Sequence, residues 1–309
     1  MKRIYGKAVL LMAAIVAISA VVTHFTAIDR REDSRFRVVA SFYPVYIAAL
    51  NLTEGADVSL SCLVQPQAGC LHDYQLSPDD LFTLQGADLL LLNGAGAEAF
   101  LGDVLEGMPT LAVTDSSAGI PLLESSNEHE HGHEHADETV NEHIWTSPGR
   151  YIRQVENLRD GLCAADPDNA GRYRDNAAAY IGQIEAVQKR LLDAAAALPW
   201  RECVTFHDSL AYLAGELELE VVAALSMGEE SGLAAADLSG AYEAIRRTGH
   251  ALLLYDTQYV ENGTYYRNLE QAGETKTLAI DVAVSGPTEK TAWLDAMNRT
   301  AALLEETAA

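Results

Sequence analysis

Histidine is concentrated in one stretch of this sequence, Glu128 to Trp145, which reads EHEHGHEHADETVNEHIW and holds five of the nine histidines. Four of them alternate with Glu and Gly without any apolar pattern: His129, His131, His133 and His135. Such a tract predicts a solvated loop that binds a borderline-soft cation loosely, or else a solubilising linker. The fifth, His143, is followed by an apolar dipeptide and then by Pro148, which indicates an ordered turn leading into a helix.

The charge of the chain favours a cation over other ligand classes. The 309 residues carry a formal net charge of -24, with 49% hydrophobic and 21% charged residues, as in a globular protein of about two domains. A strongly acidic protein is repelled by nucleic acid and by anionic lipid surfaces, which argues against both as partners; we expect no nucleic acid partner.

The N-terminal segment, residues 1–31, has the pattern of a signal peptide or an N-terminal membrane anchor. Basic residues precede an apolar run from Ala8 to Val22, and a polar stretch follows. The segment holds no cysteine that could carry a lipid. We expect the rest of the chain to lie outside the cytoplasmic membrane, in the periplasm or on the outer membrane face, either free or tethered by this segment.

Four cysteines in an exported protein suggest disulfides. Cys62 and Cys70 lie eight residues apart around a predicted loop, and Cys163 and Cys203 flank a long helical stretch. We interpret these as two pairs. The other connectivities, and free buried thiols, stay open.

Short apolar β-branched runs alternate with helical patterns from Arg37 onward, which predicts an α/β fold with parallel sheets. We divide the chain into an N-terminal lobe (32–165, with the His-rich loop at 127–141), a linking helix (166–199) and a C-terminal lobe (200–309). The predicted strands are 37–42, 58–64, 88–92, 110–113, 202–206, 220–224, 251–255 and 276–280. The predicted helices are 44–52, 148–162, 166–198, 209–218, 233–248, 261–272 and 287–306. A further helix is predicted to begin at Pro78, with Ser77 as its N-cap.

The linking helix is predicted from apolar residues that recur at helical steps on one face: Tyr173, Tyr180, Ile184, Val187 and Leu191. About thirty residues at 1.5 Å each give a rod of about 45 Å, longer than one small lobe requires. We therefore predict that it joins the two lobes.

The carboxyl ends of parallel strands are where open α/β sheets bind ligands. His207 and Asp281 directly follow predicted strands of the C-terminal lobe. His72 lies in the loop after the second strand, and His143 lies in the turn that closes the first lobe. His250 precedes its strand and is excluded. Three imidazoles and one carboxylate suit tetrahedral Zn²⁺, since harder cations take more oxygen.

Two other patterns carry less weight. Phe206-His207-Asp208-Ser209 contains the residue types of a hydrolase triad, but sequence neighbours cannot form the required chain of hydrogen bonds. The segment Gly94-Ala95-Gly96-Ala97-Glu98 fits a loose dinucleotide fingerprint, but on the third strand rather than the first.

The motifs resemble those of a known family. The segments GCLHDYQLSPDDLFTLQGADLLLLNGAGAEAFL, EHIWTSPGRY, VTFHDSLAYLAGELELEV and TLAIDVAVSG, together with the His-rich loop and the long helix, are similar to the zinc-binding solute-binding proteins of metal-uptake ABC transporters. That cluster also includes manganese-binding relatives. The resemblance implies two lobes joined by one rigid helix, with little closure around the metal, and His72, His143, His207 and Asp281 as its ligands.

The resemblance also implies a function without catalysis. A monomer would capture Zn²⁺ between its lobes and deliver it to the membrane permease of an ABC transporter. Histidine at the third ligand position favours zinc, since manganese relatives commonly have Glu there, and Thr146 and Ser147 depart from the family's usual Leu-Asp. A manganese or mixed-metal protein of the same fold, and an exported zinc-dependent hydrolase, are the alternatives.

Overall fold

The computed structural model describes residues 35–66, 71, 74–125, 140–225, 235–258 and 268–309. Residues 37–309 form one compact unit. Within the described ranges no helix is both long and apolar enough to cross a membrane. The predicted export segment, residues 1–31, lies outside the described residues.

The N-terminal sheet has four strands in the order β2-β1-β3-β4, and β3 pairs in parallel with both β1 and β4. Its strands are β1 (Phe36–Ala40), β2 (Val58–Cys62), β3 (Leu89–Leu92) and β4 (Ala112–Asp115). The helices along this part are α1 (Tyr43–Leu52), α2 (Pro78–Gly86) and α3 (Gly102–Glu106). The central strand β3 is all leucine and almost wholly buried, as a parallel strand covered on both faces should be.

The C-terminal sheet repeats this arrangement in the order β6-β5-β7-β8, with parallel pairing throughout. Its strands are β5 (Glu202–Thr205), β6 (Glu220–Ala224), β7 (His250–Asp256) and β8 (Glu274–Ile280). Two long helices lie between the two sheets in sequence, α4 (Pro148–Ala165) and α5 (Ala170–Ala196). The later helices whose bounds lie wholly within the described residues are α6 (Ala211–Glu216), α7 (Ala235–Thr248) and α8 (Ala292–Ala308).

The predicted α/β class and all eight strands are confirmed, with shifts of a few residues at their ends. The largest differences are in helices. The helix predicted at 209–218 begins as a 3-10 turn, Asp208–Leu210, and the one predicted from residue 287 begins at Ala292. Most of the helix predicted at 261–272 lies outside the described residues. The predicted cap of α2 is present, because the Ser77 side chain accepts from Asp80 N and the Asp80 side chain from Ser77 N.

The long helix α5 buries the predicted stripe of Tyr173, Tyr180, Ile184, Val187 and Leu191. Near its start, Asn176 Nδ2 donates to the carbonyls of Leu52 and Glu54 beside the N-terminal sheet, at 2.9 Å each. Near its end, Arg190 pairs with Glu305 on α8. One helix therefore contacts elements from both parts of the chain. The lobe boundaries at 165 and 199 stay predictions.

The proposed pairing of Cys163 with Cys203 is corrected, because both are free thiols. Cys163 Sγ lies on α4 and donates to the carbonyl of Ala170, at 3.5 Å, whereas Cys203 is buried in the interior strand β5. Cys62 is also a free thiol, and burial raises the pKa of Cys62 and of Cys203 to about 12. Cys70, its suggested partner, lies outside the described residues.

Gly161 on α4 packs directly against β4. A Cβ added there would lie 2.1 Å from Thr114 Oγ1 and 2.8 Å from Thr114 Cβ, whereas one added at Gly182 on α5 would meet nothing within 4 Å. Gly161→Ala should therefore lower the free energy of unfolding despite the better helix propensity of alanine. Gly182→Ala, the matched control, should raise it by up to about 1 kcal/mol. Urea unfolding of both variants tests this; equal gains at the two positions would contradict the close contact.

Candidate metal centre

His143 lies where the sequence predicts it, in an ordered turn before a helix. A 3-10 turn, Ile144–Thr146, follows it, and Ser147 then caps α4 by accepting from Arg150 N at 3.4 Å, with proline at the first helical position. The histidine is only 2% exposed. Because the cap and the proline define where the helix begins, the turn that carries the imidazole is held at a fixed place.

His207 follows β5 and comes next to His143. The two ring centroids are 5.3 Å apart and the rings are nearly perpendicular, at 86°. His207 Nδ1 accepts a hydrogen bond from Ser209 N at 3.1 Å, which sets the orientation of the ring. Two imidazoles predicted from separate sequence motifs therefore meet in one buried place.

Asp281 directly follows β8, as predicted, but its carboxylate is already engaged. Oδ2 accepts from Arg299 on α8 at 2.5 Å, and Oδ1 accepts from Ala283 N at 2.9 Å. The next residue, Val282, accepts a hydrogen bond from Trp145 Nε1 at 2.9 Å. The backbone carbonyl after β8 thus binds the side chain of Trp145 in the His143 turn, while the Asp281 carboxylate pairs with Arg299.

The other predicted metal-binding histidines, His72 and the four of the His-rich tract, lie outside the described residues. A small cavity adjoins His143 and Glu142 and is also lined by Leu71, the residue before His72. Its volume of about 10 Å³ is room for one water-sized body. In the described ranges, no group of three or more His, Cys, Asp or Glu side chains is placed to hold a metal ion.

Two acidic residues near this place were missed by the sequence reasoning. Glu142 Oε1 lies 3.8 Å from His143 Nε2. Asp256 ends β7 and accepts from Ser209 Oγ at 3.1 Å, two residues after His207. Burial, with a smaller contribution from the nearby charge of Asp281, raises the pKa of Asp256 to about 6, against the hydrogen bonds from Gln258 and Ser209, which lower it. The strand-end rule that selected Asp281 would also have selected Asp256.

The excluded patterns have structural roles. His250 begins β7, stacks on Trp200 with a centroid distance of 5.1 Å, and places Nε2 3.0 Å from Glu202 Oε2. In the triad-like segment, Asp208 accepts from Ser125 Oγ at 2.6 Å, and its neighbour Ser209 donates to Asp256. The Ser209 hydroxyl therefore donates its proton to Asp256, whereas a triad would require it to donate to His207.

The glycine-rich loop after β3 is held by a buried carboxylate. Glu98 accepts from the backbone N–H groups of Asn93 and Gly94 at 2.8 and 3.1 Å, and from Ser41 Oγ at 2.6 Å. Gly94 has a φ of 80°, and a Cβ there would lie 1.8 Å from Asp115 Oδ1. Asn93 Nδ2 in turn donates to the carbonyl of Glu142, at 2.9 Å. The loop therefore supports the His143 turn, and the amides of Asn93 and Gly94 are bonded to Glu98 instead of facing a phosphate.

The structure has two sheets of matching strand order and a long helix that contacts both parts of the chain. One histidine follows a strand and a second lies in a nearby turn. This is the architecture of the two-lobed solute-binding proteins. The solute-binding protein FpvC of Pseudomonas aeruginosa, solved in complex with Mn²⁺, superposes with a TM-score of 0.72 at 22% identity, over 89% of this chain and 98% of that one. A crystal structure of ZnuA gives 0.69 at 22% identity, over 89% and 98%. At these identities the likeness shows the fold alone.

The chain belongs to the ZnuA family, described as zinc-uptake complex component A, periplasmic, whose model matches residues 38–307. Zinc-binding lipoprotein AdcA of Streptococcus pneumoniae is 27% identical over 237 residues, 74% of this chain and 46% of that protein. The high-affinity zinc uptake system protein ZnuA of Bacillus subtilis is 27% identical over 220 residues, 68% and 67% of the two chains. The iron-binding protein YfeA of Yersinia pestis is 30% identical over 185 residues, 58% and 56%. The chain spans less than half the length of the streptococcal relatives.

The buried carboxyl group of Glu98 predicts a pH-dependent stability. Burial raises its pKa from 4.5 to about 7, against the hydrogen bonds from Ser41, Asn93 and Gly94, which lower it. The folded protein therefore binds more protons than the unfolded chain between these values, so stability falls as the pH rises through them. Between pH 4.5 and 7, the free energy of unfolding of the wild type should fall by about 3 kcal/mol relative to that of Glu98→Gln, as measured by urea unfolding at each pH. Parallel stability curves for the two proteins would contradict this.

Proposed function

We propose that this protein captures Zn²⁺ outside the cytoplasm and delivers it to the permease of an ABC transporter. The observation that carries the proposal is the pair of buried imidazoles, His143 and His207, whose ring centroids lie 5.3 Å apart although they come from different halves of the chain. Membership of a zinc-uptake family supports the same function. Imidazole nitrogen is a ligand that zinc prefers, and a pair of rings so placed supplies half of a tetrahedral shell.

We assign the full ligand set as His72, His143, His207 and Asp281. Each oxygen of Asp281 has a second lone pair, so the carboxylate can bind the ion while it keeps its bonds to Arg299 and Ala283. A neutral imidazole that binds zinc through one nitrogen carries its proton on the other. Zinc binding at either nitrogen of His207 must therefore end the hydrogen bond from Ser209 N to Nδ1.

The metal is cargo in this proposal, and the protein is not an enzyme. Four protein ligands close a tetrahedral shell and leave no position for a catalytic water. The two alternatives are a manganese or mixed-metal protein of the same fold, and an exported zinc hydrolase. The first has support from relatives and neighbours whose names state iron or manganese. The predominance of nitrogen ligands favours zinc, since manganese takes more oxygen.

The location and the partners follow from the same proposal. The N-terminal segment would direct the chain out of the cytoplasm or anchor it, which agrees with the periplasmic description of the family and with the lipoprotein relative. A monomer would present its loaded cleft to the permease.

Competition titration of the metal-free protein tests the assignment, with Zn²⁺ against Mn²⁺. The wild type should bind one zinc ion tightly, and His207→Ala should weaken that binding by more than the about 10- to 100-fold typical of losing an outer-shell partner. His250→Ala is the matched control. His250 lies at the start of β7 and contacts Glu202, so this variant should leave zinc affinity unchanged.

Three results would contradict the proposal. Preference for manganese would establish the mixed-metal alternative. Zinc binding that is indifferent to His207 would mean that the site is misassigned. Turnover of ester or amide substrates by the zinc-loaded protein would favour the hydrolase.

We further propose that His129, His131, His133 and His135 bind additional zinc weakly and raise its concentration near the cleft. The described residues on either side of this tract are held in place, because Glu124 and Val140 form an antiparallel bridge and Ser125 Oγ donates to Asp208 at 2.6 Å.

Removing residues 127–139 should abolish the weak zinc-binding sites and keep the single tight site. The contacts of Glu124, Ser125 and Val140 remain in this variant. Isothermal titration measures both classes. A variant with the four histidines replaced by serine keeps the length and serves as control. Loss of the tight site in either variant would reverse the assigned roles.

A further inference from the structure

Asn141 lies two residues before His143 and is only 1% exposed, and its backbone is held independently of its side chain. Asn141 N donates to the carbonyl of Leu123 at 2.9 Å, and Asn141 O accepts from Tyr212 OH at 2.7 Å. Neither contact involves a predicted metal ligand. The side chain therefore projects from a fixed backbone, and its own contacts can be considered separately.

The orientation of the Asn141 amide is determined by its partners. Nδ2 lies 2.8 Å from the carbonyl oxygen of Asp208, which can only accept, so this atom is the NH₂ group. The other atom, Oδ1, lies 3.0 Å from both His143 N and His143 Nδ1. The backbone N–H of His143 is a donor, which agrees with the same orientation.

This orientation selects one tautomer of His143. Because Oδ1 of a neutral amide has only lone pairs to offer, His143 Nδ1 must carry the proton that the 3.0 Å contact requires. In the neutral ring the lone pair is then on Nε2, the nitrogen that lies 3.8 Å from Glu142 Oε1 beside the small cavity. A metal-binding imidazole needs its lone pair on the ligating nitrogen and a hydrogen-bond partner on the other.

The same amide also connects the two histidines. Its Nδ2 binds the carbonyl of the residue directly after His207, while its Oδ1 binds the ring of His143. A single buried side chain therefore sets both the tautomer of one imidazole and the spacing of its turn from the turn that carries the other.

We propose that Asn141 is a positioning residue of the metal centre, which holds His143 as the Nδ1–H tautomer and fixes its turn to the turn of His207. The role in metal capture rests on the function proposed above. The tautomer does not, since it is a property of the metal-free protein.

The first test is ¹⁵N NMR of the histidine rings in the metal-free full chain, with the His143 signals assigned by their loss in His143→Gln. The wild type should show a protonated Nδ1 and an unprotonated Nε2 at His143. Asn141→Ala should shift the ring toward the Nε2–H tautomer. Asn141→Asp keeps an acceptor for Nδ1–H and should restore the wild-type tautomer, although it loses the donor to Asp208. Asn157→Ala is the matched control, because Asn157 lies on α4 and its Nδ2 donates to the carbonyls of Ser116 and Ala118, which follow β4.

The second test is zinc affinity by competition. Asn141→Ala should bind about 10- to 100-fold more weakly, and Asn157→Ala should bind as the wild type does. A wild-type His143 protonated on Nε2, or an unchanged tautomer and affinity in Asn141→Ala, would overturn the proposal. If the wild type shows the expected tautomer and binds no zinc, the tautomer assignment stands and the proposed function fails. If Asn141→Ala does not fold, the wild-type and Asn141→Asp spectra still decide the tautomer.

Discussion

Direct hydrogen bonds between the His143 turn and the second half of the chain are the constraint on which the candidate metal centre depends. Trp145 lies at the middle of this contact: its Nε1 donates to Val282 O at 2.9 Å, and its carbonyl accepts from Trp293 Nε1 at 3.1 Å. Both tryptophans are buried. A buried N–H that lost its partner would cost about 1 to 3 kcal/mol, so these two bonds hold the His143 turn against the second half of the chain.

The region around the centre is also rich in buried charge, which is costly unless it is satisfied. Glu98 and Asp256 each accept several hydrogen bonds, and the pKa of each is nevertheless raised, because burial outweighs those bonds. Asp281 is stabilised by Arg299 instead. Each carboxylate near the cleft therefore has its own structural partners. A cation that binds one of these carboxylates must share it with those partners or displace them.

Proteins of this fold differ in the metal ion that they bind. Proteins that share this architecture or its sequence motifs are named for zinc, iron or manganese, so the two-sheet scaffold alone does not determine the metal. In the proposed site the ligand types would make that choice. Two imidazoles at 5.3 Å and the proposed tautomer, which leaves the lone pair on Nε2, would favour a nitrogen-binding ion, and Asn141 and Glu142 are side chains beside His143 that can modify that preference.

The sequence by itself determined the local structure of this protein. The apolar run of β3, the Ser77 cap and the one-sided stripe on α5 each depend on residues within a few positions of one another, and all three were predicted. His207 and Asp281 likewise follow strands β5 and β8, as predicted. Only the tertiary structure decided which distant side chains meet: that Arg299 binds Asp281, that Asn141 joins the turns of His143 and His207, and that Cys163 and Cys203 stay apart. These contacts depend on how helices and sheets pack, and a periodic pattern in the sequence specifies which face of an element is buried without specifying which atoms it will touch.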